Sequence, residues 1–240
     1  MEQFKIKQGG FKEIRKTLLI ITVPLLLIIT FGVLAIFYFT MKDEQRDVNV
    51  LLLLIPFTLV TGAFGLYPSM NRQKKIFESY SLTLDNNSIT REQHNTPTIT
   101  ISNEEISEII KNSNGSITIK GNSKVNVIGV PPQIDDYKKL EELLNEIKQI
   151  STKTKESFPQ KYIMLFSLLG MGLMATFQIS NIKIIVGISG LVLLTFLGYS
   201  FFAIQRSKNI DNKTKRGRWM ILFVAAIIIG GMYYKLSGLQ

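Results

Sequence analysis

Long apolar runs and one long polar stretch divide the chain. Residues 17–40 and residues 48–70 contain no charged side chain, and residues 219–234 form a shorter apolar run with aromatic residues at both ends. An α-helix rises about 1.5 Å per residue, so about twenty apolar residues cross a hydrocarbon core of about 30 Å. Each of these three runs therefore predicts a transmembrane helix.

A fourth apolar stretch, residues 162–204, is interrupted only by the turn Ser180-Asn181-Ile182-Lys183. As one helix it would reach about 65 Å, about twice the thickness of a bilayer core. It therefore predicts a hairpin of two transmembrane helices, residues 162–179 and 182–204, which brings the expected number of spans to five. Lys183 lies at the bend, where an interface lysine is expected rather than a functional charge inside the membrane.

The polar stretch, residues 71–150, has the pattern of a small folded domain. Apolar and polar residues alternate in short bursts, which is the signature of β-strands with one buried face. Residues rich in Asn, Asp, Gly and Pro separate the bursts and favour tight turns. The expected strands are residues 80–84, 98–102, 116–120 and 124–130.

After Pro131-Pro132 the period changes from two residues to that of a helix. Apolar residues recur at helical spacing through residues 134–150, and Asp135 and Asp136 stand where carboxylates suit the helix dipole. Short antiparallel strands closed by one amphipathic helix predict an α+β domain, a curved sheet or small barrel capped by its C-terminal helix. Residues 151–161, rich in Ser, Thr and Lys, are expected to be a linker.

This order of elements resembles the pleckstrin-homology-like domains of bacterial membrane proteins. The likeness is carried by the hairpin 80–91, the strand entry 101–106 with Ile109 after it, the strand 115–119, and the junction 130–137 leading into Leu140 and Leu143. The resemblance implies a seven-stranded fold with a capping helix, and a role in binding or assembly rather than in chemistry. Phosphoinositide-binding members have a basic first hairpin, whereas residues 83–91 hold only Arg91 and Asp85 as charges. No phosphoinositide is therefore expected as a partner.

The positive charge of the chain lies beside the apolar runs. The 240 residues carry a net charge of +10, yet residues 71–160 hold twelve Lys and Arg against twelve Asp and Glu. The excess lies in a basic lead-in, residues 1–16, and a basic loop, residues 205–218. This distribution favours anionic lipid headgroups and argues against a nucleic-acid surface. Cysteine is absent, which excludes a disulfide framework.

The basic residues also predict an orientation in the inner (plasma) membrane. Three segments would be cytoplasmic in this arrangement: residues 1–16 with five basic residues, the start of the module with three, and residues 205–218 with six. The three segments on the opposite side carry two, one and one basic residues. By the positive-inside rule the N-terminus and the module are expected in the cytoplasm, and the tail, residues 235–240, outside.

Nothing in the sequence predicts a catalytic, cofactor or metal site. His94 is the single histidine and falls in an expected turn, where a solvated residue is commoner than a base or ligand. The acidic clusters are attributed to solvated strand edges and the helix start; they are Glu104, Glu105, Glu108, Asp135 and Asp136. The glycosylation patterns at Asn86, Asn114 and Asn212 are taken as chance matches on the cytoplasmic side.

The expected spans contain hydroxyl and amide side chains but no ionisable group apart from Lys183. Ion-coupled transporters usually need such a group, so an active transporter is disfavoured. Small residues at helix-packing spacing, Gly172 with Thr176 and Ala226 with Gly230, predict close packing of spans. Met164, Met171 and Met174 share a helix face and are expected to pack rather than to bind a metal.

The expected function is that of a non-enzymatic membrane protein displaying a cytoplasmic module for protein–protein interaction or self-assembly. Tethering raises the effective concentration of such a module toward other membrane components. A passive channel or an accessory subunit of a transporter is the alternative, and an intramembrane enzyme comes third. The partners expected are the lipid bilayer and an unidentified protein or a second copy of the chain.

Overall fold

Strand pairing builds the first sheet from two distant parts of the chain. In the computed structural model, which describes residues 1–40, 48–123, 125–153 and 163–238, this sheet has four antiparallel strands in the order β1-β2-β3-β4. Their bounds are β1 Glu2–Lys5, β2 Ser81–Leu84, β3 Ser88–Glu92 and β4 Ile99–Ser102. Alternate residues point inward, as the two-residue period requires, so Phe4, Leu82 and Ile89 are buried.

The second sheet has the strand order β7-β6-β5-β8. Its strands are β5 Ile106–Asn112, β6 Ile117–Gly121, β7 Val127–Val130 and β8 Ile150–Lys153. The β5–β6 and β6–β7 pairs are antiparallel, whereas β8 runs parallel to β5, with Ile109 opposite Ile150. Gly115, with φ of +79°, supplies the left-handed residue of the β5–β6 turn, as the Asn114-Gly115 pair predicted.

Helix α3, Tyr137–Ile147, covers the core that the two sheets share. Its residues Leu140 and Leu144 are fully buried in one apolar cluster that includes side chains from both sheets. The helix begins three residues later than its apolar period indicated, because Ile134 instead forms a β-bridge with Ile6. Asp136 adopts a left-handed backbone conformation before the helix and makes no side-chain cap.

The chain divides into two compact units. The sheet unit comprises Met1–Arg15, Asn71–Lys161 and Ile204–Arg216, and the helix unit comprises Lys16–Met70, Tyr162–Ala203 and Gly217–Gln240. The expected domain, residues 71–150, therefore lacks two pieces that the structure includes. The chain is a mixed α/β protein with two small sheets.

Residues 1–16 differ from the basic lead-in that was expected. Residues Glu2–Lys5 are strand β1, paired with β2 along its whole length. The Lys7 amide donates to the Gln133 carbonyl and the Asp135 amide donates to the Lys5 carbonyl, both within 2.9 Å. Phe4 explains the difference, because its ring is 4% exposed and belongs to the shared core.

The expected linker, residues 151–161, also differs. Its first residues belong to β8, which Ser151 reinforces by donating to the Ile109 carbonyl at 3.1 Å. The remainder of that linker, the loop after residue 40 and Lys124 of the expected last strand lie outside the described residues.

Six further α-helices lie in the described part of the chain. They are α1 Gly10–Thr40, α2 Val48–Glu78, α4 Ile163–Ile179, α5 Lys183–Arg206, α6 Asn212–Gly217 and α7 Trp219–Ser237. Among the described residues, three helical segments are long and apolar enough to cross a membrane: Gly10–Gly32, Lys183–Arg206 and Asn212–Ser237. Leu165–Ile179 is apolar but shorter.

The helix unit packs around its own apolar cluster, formed by Phe177, Val186, Leu193 and Ile228. Among the described residues, helices approach closely at Gly62, Gly190 and Gly231, none of which was expected, and a methyl group on Gly62 would lie 3.1 Å from the Leu26 side chain. A methyl group on Gly190 would overlap the Met232 sulfur, and one on Gly231 would lie 3.1 Å from the Phe177 ring.

Among the described residues, the small residues expected to pack closely meet no neighbouring helix. Methyl groups built on Gly172 and Gly230 meet no atom within 4 Å, and the Thr176 hydroxyl donates to the Gly172 carbonyl of its own helix at 2.8 Å. On α7 the contact with a neighbouring helix is therefore made at Gly231 and not at Gly230, one residue before it.

Lys235, expected in an external tail, lies in the last turn of α7. Its ammonium donates to the carbonyls of Phe177 and Ser180, each at 3.0 Å, and so binds the C-terminal end of α4. A cation is favourable there because the last carbonyls of a helix lack intrahelical donors. Lys183 is exposed at the first position of α5, at the bend where it was expected.

Candidate functional site

A cleft of about 400 Å³ in the sheet unit is the strongest candidate for a binding site. It lies along the outer side of β7, next to the chain that enters β2 and next to the start of β6. Its polar lining comprises Tyr80, Arg91, Gln93, Ser116, Thr118 and Asn209, and its apolar lining comprises Phe77, Ile117, Val127, Val130 and Pro131, with Gly129 on β7.

Arg91 is buried in this lining. It follows Ile89 at the two-residue period of β3, so the strand directs both side chains inward. Ile89 belongs to the apolar core, whereas the Arg91 guanidinium lies where the sheet ends. Only 2% of the Arg91 surface is exposed, which is rare for an arginine.

Five hydrogen bonds hold the guanidinium. Nη1 donates to Gln93 Oε1 at 3.0 Å and to Thr96 Oγ1 at 3.1 Å. Nη2 faces three acceptors, the Pro97 carbonyl at 3.3 Å and the Lys208 carbonyl and Asn209 Oδ1 at 3.2 Å. Nε is buried and has no acceptor among the residues that the structure describes. Two hydrogens on Nη2 thus serve three long bonds while the Nε–H group stays unpaired.

All five acceptors of Arg91 are neutral. In the described part of the chain no carboxylate bonds to this guanidinium, although buried cations are normally paired with an anion. Burial lowers the pKa of Arg91, and the nearby Tyr80 offsets that shift only in part. Arginine still keeps its proton at neutral pH, so the guanidinium is a positive charge that bonds to no carboxylate in the described ranges.

Tyr80 and Asn209 occupy the outer edge of β7. The Tyr80 hydroxyl donates to the Gly129 carbonyl at 2.9 Å, and Asn209 Nδ2 donates to the Val127 carbonyl at 3.0 Å. Burial raises the pKa of Tyr80 well above its usual value, and the Arg91 charge opposes this rise. Tyr80 is therefore a neutral donor, and these two side chains satisfy carbonyls that would otherwise face a neighbouring strand.

Asn209 belongs to a docked segment, residues 207–211, which differs from the basic loop expected at 205–218. Besides Asn209, this segment contributes Lys208, whose ammonium donates to Asn126 Oδ1 at 2.8 Å. The amide of Asn212, at the start of α6, donates to the Asn95 carbonyl at 2.9 Å. Pairing with polar groups of the β3–β4 and β6–β7 loops explains why this segment folds onto the sheets.

An ion pair fixes the end of the docked segment. Arg72 Nη2 lies 2.8 Å from Asp211 Oδ2. Asp211 also accepts from the Thr214 hydroxyl at 2.6 Å and from the Thr214 amide at 3.1 Å. Burial would raise the pKa of Asp211, but the bonds from Thr214 and the Arg72 charge outweigh burial, and the pKa is lowered.

The residues singled out in the sequence do not converge on this cleft. His94 is exposed in the loop after β3. Glu104 and Glu105 form a short 3-10 turn, and Glu108 pairs with Lys120 at 3.0 Å. Asn86, Asn114 and Asn212 lie in three separate turns or helix starts. Within the described ranges no group of three or more His, Cys, Asp or Glu side chains is placed to bind a metal ion.

The sequence carried one unused signal for this site. Arg91 stands at an inward position of an alternating strand, where an apolar residue is expected, and this exception to the pattern marks a buried charge. The alternation predicts Tyr80 in a strand, but nothing local predicts the hydrogen bond from its hydroxyl to the Gly129 carbonyl. Asn209 had no local signal, because it reaches the cleft from a segment more than a hundred residues away along the chain.

No family model, no curated protein and no solved structure matches this chain. The candidate site therefore rests on its own geometry.

Proposed function

We propose that the chain is an inner-membrane protein with five spans that displays its sheet unit, a pleckstrin-homology-like module, in the cytoplasm. The module binds a protein partner or a second copy of the chain. The observation that carries this proposal is the alternation of the two units along the sequence: every piece of the sheet unit is followed or preceded by a long apolar helix.

The surface of the helices supports a membrane environment. Large apolar side chains are exposed along α1, α4, α5 and α7, for example Phe31, Leu165, Ile184 and Phe223, each at least half exposed. Helices that are apolar on all faces are stable when lipid surrounds them, whereas water-soluble proteins rarely expose contiguous apolar patches of this kind. Beyond the three helical segments that are both long and apolar enough, α2 and α4 supply the other two proposed spans.

Two features of the sheet unit support the pleckstrin-homology-like assignment. Two small sheets share one core, and the helix Tyr137–Ile147 follows the last antiparallel strand and covers that core. The described residues form eight strands, of which β8 is parallel to β5, whereas the resemblance implies seven. The single arginine of the first hairpin is buried at the cleft, which supports a module that does not bind phosphoinositides.

The orientation remains that of the positive-inside rule, with the sheet unit cytoplasmic and the residues after α7 outside. Basic residues stand close to the apolar helices. Lys213, Lys215 and Arg216 on α6 directly precede α7, and Lys74 and Lys75 lie near the C-terminal end of α2. Such residues suit anionic headgroups at the cytoplasmic surface.

A passive channel or an accessory transporter subunit has less support. The hydroxyls of Thr176, Ser189 and Thr195 each donate to the carbonyl four residues earlier in their own helix, within 2.8 Å. Such hydroxyls are satisfied within their helices and do not by themselves line a water-filled path. No observation in the described residues favours conduction over display of the module.

The proposal is tested on the full chain purified in mild detergent. Light scattering coupled to size exclusion gives the mass of the protein part, and co-purified proteins are identified by mass spectrometry. A defined oligomer or a stoichiometric partner is expected. A lone monomer that supports ion flux in liposomes would replace this proposal with the channel.

Topology is tested separately. A reporter that is active only outside the cytoplasm is expected to be active when fused after Gln240 and inactive when inserted in the loop at Gly115. The opposite pattern, or equal activity at both positions, would overturn the orientation or the number of spans.

A further inference from the structure

The cleft beside β7 combines three properties that together specify a ligand. Its lining includes Arg91, whose buried guanidinium has five neutral acceptors and whose buried Nε–H group has no acceptor among the described residues, and it includes an apolar wall. A buried cation is costly unless an anion or several hydrogen bonds compensate it. The protein supplies the hydrogen bonds but, in the residues that the structure describes, no anion.

We propose that this cleft binds a small organic monocarboxylate with an apolar body, its carboxylate on Arg91. One carboxylate oxygen accepts from Nε–H. The other replaces the amide oxygen of Asn209 on Nη2, which gives the side-on, two-bond arrangement that arginine forms with carboxylates. The Arg91 guanidinium thus loses a 3.2 Å hydrogen bond to a neutral amide and gains a charge-assisted pair with the carboxylate.

The lining favours a carboxylate over a phosphate. Arg91 is the single charged residue of the lining, and it supplies one positive charge for a monoanion, whereas phosphate dianions are usually held by several cations or by a helix N-terminus. The remaining polar groups, such as Ser116 and Thr118, are neutral. Docking a dianion here would leave one negative charge uncompensated.

The apolar wall specifies the rest of the ligand. Phe77, Ile117, Val127 and Pro131 give the cleft an apolar surface beside the guanidinium. A volume of about 400 Å³ lies within the range of small-molecule sites, and it accommodates a short aliphatic or aromatic body. This proposal concerns the sheet unit alone and goes beyond the display of a module at the membrane.

Gly129 allows the cleft to be blocked without touching the guanidinium. A Cβ atom built on this residue meets no atom within 4 Å, and its backbone is ordinary β-strand. Gly129→Leu is therefore expected to fold, because the new side chain enters open space on the wall of the cleft. Thr100→Leu, at an exposed strand position outside the cleft, is the matched control.

The experiment uses the full chain in nanodiscs of zwitterionic lipid, with ¹⁵N-labelled arginine. Hexanoate is the probe, and the Nε–H signal of Arg91, assigned by its loss in Arg91→Lys, is followed during titration. Hexanamide, which has the same shape without the charge, measures non-specific partition into lipid. Inorganic phosphate tests a general anion site.

We expect hexanoate to shift this signal in a saturable way, with a Kd on the order of 1 mM, and hexanamide and phosphate to bind at least about tenfold more weakly. Gly129→Leu should weaken hexanoate at least about tenfold, and Thr100→Leu should not change it. Asn209→Ala should tighten binding, because it removes the amide oxygen that competes for Nη2. Thermal melting of each variant verifies that it is folded. If Arg91→Lys is unfolded, the effect of Gly129→Leu on hexanoate binding decides the test.

Three results would overturn the proposal. The first is the absence of a saturable shift with hexanoate at about ten times the expected Kd. The second is equal binding of hexanamide, which would assign the effect to lipid partition. The third is equal or tighter binding of phosphate, which would make the cleft a general anion site. None of these results bears on the oligomeric state or the topology, so the proposed function is tested independently.

Discussion

Replacing Phe4 with alanine tests the claim that residues Glu2–Lys5 are an integral strand of the sheet unit. The Phe4 ring is 4% exposed and lies in the same apolar cluster as Leu82, Ile89 and Leu140. Truncating a buried phenylalanine costs about 3–5 kcal/mol, and the lower end applies here because β1 is an edge strand that can relax. Since about 1.4 kcal/mol is a tenfold change in an equilibrium constant, the unfolded population should rise by about a hundredfold.

Hydrogen–deuterium exchange on the full chain measures this change. Because β5 and β6 are the inner strands of the second sheet, we expect their amides to exchange only when the whole sheet unit opens. Their exchange rate should therefore rise by about the same hundredfold factor in Phe4→Ala. Lys5→Ala, on the exposed face of the same strand, is the matched control and should change stability by less than about 0.5 kcal/mol. The fluorescence of Trp219, the single tryptophan and part of the helix unit, should be unchanged in both variants.

Two outcomes would refute this reasoning. Unchanged exchange in β5 and β6 of Phe4→Ala would mean that residues 2–5 only rest on the sheet and that the basic lead-in was the better description. Equal effects of Phe4→Ala and Lys5→Ala would mean that strand register, and with it the inward direction of Phe4, is wrong.

Three further predictions follow from the packing and the charges. Gly231→Ala should lower the thermal stability of the helix unit, because its methyl group would lie 3.1 Å from the Phe177 ring, whereas Gly230→Ala should be neutral. Acid should destabilise the sheet unit as the pH falls below about 4, because the lowered pKa of Asp211 stabilises the folded state only while its carboxylate is ionised, and Asp211→Asn should remove that part of the acid sensitivity. Ile106→Asp should unfold the sheet unit, because it places a charge in a position that is 3% exposed, as limited proteolysis of the full chain would report.

Each of these predictions has a result that contradicts it. Equal melting temperatures of the Gly231 and Gly230 variants would place the helix contact elsewhere. An unchanged acid transition in Asp211→Asn would mean that its ion pair with Arg72 does not stabilise the fold. Protease resistance equal to that of the unsubstituted chain in Ile106→Asp would mean that the side chain of residue 106 faces solvent.

Local pattern predicted the elements whose cause is local. The hairpin of β2 and β3, the turn at Gly115 and the helix Tyr137–Ile147 all follow from alternation, turn residues and helical spacing within a few residues of each other. The break between α4 and α5 also follows from a local turn.

Strands that pair with distant parts of the chain could not be predicted from local sequence pattern. Strand β1 is four residues long, and its partner β2 lies beyond two long helices, so only the burial of Phe4 distinguishes it from a solvated segment. Strand β8 has a polar sequence and pairs in parallel with β5 across the helix α3. Its pairing is a tertiary effect that no short window contains.

The candidate site divides in the same way. Arg91 violated the alternation of its own strand, which is a local signal that a close reading of β3 contains. The acceptors from Lys208 and Asn209 come from a segment whose composition reads as a basic loop, and only tertiary contact assigns them to the cleft.

The docking of residues 207–211 imposes an order on biosynthesis. The ribosome delivers β1 first, then two long helices, then most of both sheets, and only after two further helices does it deliver the groups that bind Arg91. A nascent chain halted before residue 204 would therefore lack two of the five acceptors of Arg91. Among those described, Gln93, Thr96 and Pro97 would be its only acceptors. Completion of the sheet unit is thus a late step, because it waits for residues 207–211, which follow α5.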